Sequence, residues 1–195
     1  MNLTQTIKTK LHDPLATFRG LERTIATVCI LIPAVLRLTD TAPCPTDRFG
    51  FQSSISAYVY MPHSYMFGMM LCMAAMLFIF NGAVYFRNED PHKLNLNPKG
   101  KWYNLTLGLT LLIIIILPCR DYVIPHYIFA GIFFLGNAFV IGFFHEPKNR
   151  TLSISLAMVT VASMIPWILG ISSLFYSEWL SLIVIGIHFI LEARR

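Results

Sequence analysis

The chain has 195 residues, 55% of them hydrophobic and only 13% charged, with a mean hydropathy of +0.61. Soluble domains carry about a quarter of their residues as charge, so this composition excludes a water-soluble globular fold and predicts an all-α, polytopic membrane protein. The net charge of +5 does not mark a nucleic-acid binder, because the fifteen basic residues fall in short clusters between apolar runs instead of one patch.

Residues 1–20 read as a cytoplasmic segment and residues 21–195 as a transmembrane domain. The first twenty lack the apolar core and small-residue cleavage site of a signal peptide, which predicts that they are retained. Leu3, Ile7, Leu11, Leu15 and Phe18 recur at spacings of four and three, with Lys8, Lys10 and Arg19 elsewhere around the turn. This is the pattern of an interfacial amphipathic helix; a frayed polar tail interrupted at Pro14 is the alternative.

Six hydrophobic spans follow, near Leu21–Leu38, Tyr65–Phe86, Trp102–Pro118, His126–Phe144, Leu152–Ile171 and Trp179–Ala193. A hydrocarbon core of roughly 30 Å takes about 20 helical residues. Pro33 and Pro166 predict kinks in the first and fifth spans. With the N-terminus in the cytoplasm, twelve basic residues fall on the inner side: Lys8, Lys10, Arg19, Arg23, Arg87, Lys93, Lys99, Lys101, Lys148, Arg150, Arg194 and Arg195. Only Arg37, Arg48 and Arg120 fall on the outer side. Every loop then obeys the positive-inside rule, and both termini are expected in the cytoplasm. Trp102, Tyr103, Tyr122, Tyr127, Tyr176 and Trp179 lie near span ends, where amphipathic rings favour the interface.

Ser54-Ile55-Ser56-Ala57-Tyr58 with Tyr60 precedes the second span, Asn104-Leu105 opens the third, Pro118 closes it, and His126, Ala130 and Phe133-Phe134 occupy the fourth. In these residues, over about Phe51 to Phe144, the chain resembles a group of uncharacterised bacterial six-span membrane proteins, and more distantly the eukaryotic DRAM and Sfk families. The resemblance implies a bacterial inner-membrane location and, through the distant relatives, a theme of membrane trafficking and lipid handling. It carries over no activity.

The outer side gathers the ionisable and aromatic polar groups. Arg37, Asp40, Tyr58, Tyr60, His63, Arg120, Asp121 and His126 are the candidate ligand-binding residues. The connection from Thr39 to Ser64 is long for packed spans, and loops beyond about 12–15 residues are often functional. From Phe51 to Tyr60 it alternates, with Phe51, Ser53, Ile55, Ala57 and Val59 on one side and Gln52, Ser54, Ser56, Tyr58 and Tyr60 on the other, which predicts an ordered, extended lid. Arg37 and Asp40 share a face if the helix continues, and clustered guanidinium forks suit a lipid phosphate or carboxylate. Arginines that only snorkel to the headgroups are the alternative.

His63 and His126 with Asp40 or Asp121 would make a zinc-compatible donor set for hydrolysing a lipid ester or amide. The paired late-span histidines of alkaline ceramidase-like enzymes are absent, however, since the residue four after His188 is Glu192 and the residue four before it is Val184. Neither a metal nor another cofactor is expected, and the histidines read as makers of structural hydrogen bonds. Cys44 and Cys119 share the outer compartment and can form a disulfide if it is oxidising; two free thiols are the alternative. Inside the bilayer only Asn81, Asn137, His188 and Glu192 stand out. The asparagines are expected to join helices, and Ala138 with Gly142 gives a small-xxx-small contact.

The sequence therefore favours a non-enzymatic role at the outer face in lipid binding, sensing or partner assembly. The expected partners are membrane lipids together with a membrane-protein partner or a second copy of the chain. A membrane-embedded lipid hydrolase and a small-molecule transporter or pore are the alternatives, the latter requiring a continuous polar path.

Overall fold

The structure, a computed structural model, describes residues 14–41, 49–87, 102–143 and 150–194. Among them are six α-helices and no strand: α1 (Pro14–Thr39), α2 (Ser64–Arg87), α3 (Trp102–Ile116), α4 (Val123–Phe143), α5 (Arg150–Ile168) and α6 (Leu174–Ala193). The amphipathic pattern expected of residues 1–20 lies mostly outside the described residues. Proline is tolerated in the first helical turn because its missing N–H has no intrahelical acceptor there, so Pro14 begins α1 where an interruption was expected.

Four helices are long and apolar enough to cross a membrane by length and composition: Ser64–Ala83, Val123–Phe143, Arg150–Ile168 and Leu174–Ala193. The other two differ for physical reasons. α3 has 15 residues, about 22 Å at 1.5 Å per residue. α1 has 26 residues but carries Arg19, Glu22, Arg23 and Arg37.

The helices pack in chain order, each on the next, and α1 closes the ring against α6. The middle is filled by side chains. Phe78 of α2 meets Phe133 of α4 edge-on at 5.8 Å and Phe189 of α6 at 5.4 Å, and all three rings are at most 2% exposed. Edge-to-face contact brings a ring's positive rim to its neighbour's negative face.

Close crossings depend on missing side chains. A Cβ on Gly108 would lie 2.7 Å from the Ala75 carbonyl oxygen, and one on Gly82 would lie 2.5 Å from the backbone nitrogen of Leu105. These two glycines bring α2 and α3 together. Gly186 serves the α1–α6 crossing, where a Cβ would come 2.7 Å from Ile30 Cγ1. Gly142 faces Ala157 at 3.2 Å, a contact the small-residue spacing predicted.

Of the two intramembrane asparagines, only Asn81 joins helices: Asn104 Nδ2 donates to Asn81 Oδ1 at 2.6 Å. Such bonds contribute roughly 0.6–2 kcal/mol. Asn137 instead donates to the Phe133 carbonyl of its own helix at 2.7 Å, because the acceptor four residues back is the nearest one.

The helix runs on through Pro33, and Pro166 stands only two residues before the end of α5. There the Ile171 N–H donates to the Pro166 carbonyl at 2.8 Å, the Gly170 N–H donates to the Trp167 carbonyl at 2.9 Å, and Gly170 takes φ +69°. This left-handed Schellman ending satisfies carbonyls that would otherwise be orphaned. It turns the chain so tightly that α6 starts at Leu174, five residues ahead of the expected Trp179, and draws Glu178 inside the helix.

Candidate functional site

Three connections meet at one end of the bundle: residues 49–63 of the first, then 117–122 and 169–173. The first is a strap from Phe49 to Met61, and it is ordered as expected but not extended. Its residues 56–60 form a 3-10 turn, because the Ser54 carbonyl and hydroxyl both accept from the Ala57 N–H, at 3.2 and 3.1 Å. Three residues per turn then replace the two-residue alternation. Gln52, Ser54, Ile55, Ser56, Tyr58 and Met61 are all buried, so neither of the two expected faces survives. Tyr58 is 2% exposed, 6.2 Å from Phe175, while Tyr60 turns away to the α3–α4 connection.

The anchor of the strap is Glu178. Its Oε2 accepts from the Ile55 N–H at 2.6 Å, and the residue is only 5% exposed. The Phe175 N–H donates to the Ser53 carbonyl at 3.0 Å, so the first turn of α6 gives one of its spare donors to the strap. Phe51 stacks on Phe175 at 4.6 Å and reaches Tyr176 and Trp179 at 6.1 and 5.5 Å.

The candidate residues fall into separate groups. α1 stops at Thr39, so Asp40 leaves the helical face it was expected to share with Arg37; its Oδ2 accepts from Gln52 Nε2 at 2.8 Å. The Arg37 guanidinium lies against Gly50, whose φ of +81° and missing Cβ make the room. Tyr60 Oη accepts from the Arg120 N–H at 2.7 Å and contacts Cys119 Sγ at 3.7 Å, and the Arg120 guanidinium covers the Tyr60 ring 4.0 Å from its centroid. Burial pushes the Tyr60 phenol above its ordinary value; Cys119 and Asp121 add to this, and the Arg120 N–H opposes it. Asp121 is exposed and its N–H donates to the Pro118 carbonyl at 3.2 Å.

The two histidines are differently occupied. His126 is 2% exposed and its Nδ1 meets the Leu117 carbonyl at 2.6 Å, so Nδ1 carries the proton and ties the start of α4 to the end of α3. His63 is exposed beside Tyr65, ring centroids 5.7 Å apart. Among the described residues no three His, Cys, Asp or Glu side chains converge as metal ligands. Cys119 is a free thiol against Tyr60 Oη, and Cys44, its expected disulfide partner, lies outside the described residues.

Sequence reasoning missed Gln52 and Phe51 as site residues, and placed Glu178 at the outer face without counting it among the candidates. An acidic residue near the outer end of an apolar helix is the signal that points to Glu178. Two more groups emerge here: Trp179 Nε1 and Ser173 Oγ are buried, and neither has a hydrogen-bond partner among the described residues. Leaving a buried donor unmatched costs about 1–3 kcal/mol.

No curated protein and no solved structure matches the chain. Residues 31–193, which include the strap, its anchor and both arginines, match a family model. The chain belongs to DUF7103, a family of unknown function.

Proposed function

We propose that the chain is a six-span protein of the bacterial inner membrane, with both termini in the cytoplasm, and that it binds anionic lipid headgroups at its outer face without catalysing a reaction. α1 and α3 complete the six spans in this reading: the ring of helices gives α1 two neighbours that can shelter Glu22, 2% exposed, from lipid. One observation carries the function. Arg37 and Arg120 are steadied at the same end by a glycine backbone and a tyrosine face, and among the described residues neither is paired with a carboxylate. Guanidinium forks held this way suit a phosphate oxygen pair. The aromatic filling between Phe78, Phe133 and Phe189 supports a binder over a pore.

Lipids retained through purification in mild detergent test the reading. Native mass spectrometry is expected to find anionic phospholipid on the protein, and Arg37→Gln with Arg120→Gln is expected to reduce it by about tenfold, the equivalent of one charge-assisted contact of roughly 1.4 kcal/mol. Equal retention in the double variant would refute it.

Sidedness has its own test. A reporter fused after Arg195 is expected to be active only as a cytoplasmic fusion. A membrane-impermeant maleimide on intact cells is expected to label Cys119, a free thiol at the outer end of α3, without reductant. An exported C-terminal fusion, or labelling of Cys119 only in permeabilised cells, would overturn the topology.

A further inference from the structure

Phe51 fills an aromatic socket that also holds an unused donor. The walls are Phe175 at 4.6 Å, Trp179 at 5.5 Å and Tyr176 at 6.1 Å, all on α6. The indole that forms one wall keeps its Nε1 buried without an acceptor among the described residues, and Ser173 Oγ, at the N-cap of the same helix, is buried in the same condition and makes no capping bond. Buried polar atoms are nearly always paired, so an idle indole N–H in the wall of an aromatic pocket calls for a molecule with an apolar stretch ending in an acceptor oxygen. The acyl–ester junction of a glycerolipid has that form, and its depth in the bilayer is where tryptophan and tyrosine gather.

Phe51 belongs to the less buried end of the strap next to Gly50, while Ile55, Tyr58 and Met61 hold the rest of it in the core. The strap is tethered to the bundle there by the Ile55 N–H on Glu178, the Phe175 N–H on the Ser53 carbonyl, and Gln52 on Asp40. It departs at Gly50, in the left-handed conformation that only glycine adopts without strain. We propose that the strap is a gate and Phe51 its plug: when the segment swings about Gly50, an acyl chain of a leaflet glycerolipid takes the place of the Phe51 ring and an ester carbonyl accepts from Trp179 Nε1. The inference rests on the lipid-binding reading and adds to it an apolar subsite separate from Arg37 and Arg120.

The test uses the full chain in nanodiscs of phosphatidylglycerol and phosphatidylcholine brominated near the carbonyl end of the acyl chain. With Trp102→Phe and Trp167→Phe as background, Trp179 is the sole tryptophan. Phe51→Ala is expected to raise quenching of Trp179 by the bromolipid at least twofold. Gln52→Ala, which loosens the strap and leaves every socket ring in place, is expected to raise it in the same direction. Circular dichroism of each variant identifies any that lose helix; for those, Gln52→Ala is the deciding variant. Unchanged quenching in folded variants overturns the gate while leaving headgroup retention by the arginines intact. Raised quenching with no effect of the arginine variants on retention keeps the gate's subsite and removes the arginine reading.

Discussion

Glu178→Ala is expected to destabilise the protein by about 2–3 kcal/mol, the largest effect of any single truncation at the strap end. Removing the carboxylate leaves the Ile55 N–H without its acceptor in a buried position, a loss of roughly 1–3 kcal/mol for the orphaned group. It also opens space beside a residue that is 5% exposed, which adds a cavity term. Glu178→Gln retains an oxygen of the same reach and is expected to cost under about 1 kcal/mol. Thermal melts of helicity in detergent measure both. Equal losses in the two variants would mean that the charge of Glu178, and not its oxygen, holds the strap.

A comparable loss is expected where α2 crosses α3. Gly108→Ala places a methyl 2.7 Å from both the Ala75 carbonyl oxygen and Ile79 Cγ1, and Gly82→Ala places one 2.5 Å from the Leu105 backbone nitrogen. Backbone atoms cannot step aside as a flexible side chain does, so each variant is expected to cost about 1–3 kcal/mol through forced separation of the helices. Gly131→Ala is the control: nothing lies within 4 Å of its Cβ position, and helix propensity favours alanine by up to about 1 kcal/mol. Losses at 82 and 108 with none at 131 establish the crossing; three equal outcomes would refute it.

Much of the helical framework was legible because an apolar run bounded by proline, glycine and charge leaves little choice of secondary structure: all six expected spans begin inside their helices, four of them within three residues of the start. The start of α6 was misread because Trp179 looks like an interfacial anchor, whereas the ending at Gly170 commits the chain to a new helix at Leu174. The candidate site was only half legible. Arg120 and Tyr60 are placed together, 60 positions apart in the chain, and both stood among the expected residues. The partner of Ile55 is 123 positions away, and no local pattern encodes such a pairing. The alternation of Phe51 to Tyr60 was real as a sequence pattern but lost to a hydroxyl: Ser54 closes a 3-10 turn that a run without it would not make. Asn104, read only as an opening residue of the third span, supplies the bond to Asn81, since an amide needs a partner that periodicity does not name.

That α1 lies against α6 has a consequence for the order of assembly. Contacts between the first and last helices close the longest loop the chain has, and such contacts are made late because their entropy must be met before they stabilise anything. During synthesis α1 to α5 leave the ribosome with one side of the ring open. The strap, which bonds to Glu178 and Phe175, has no α6 to rest on until that helix has been delivered. The strap thus acquires its carboxylate acceptor only after residue 178 has emerged, so a chain that stops before that point keeps five helices and an unfastened cap.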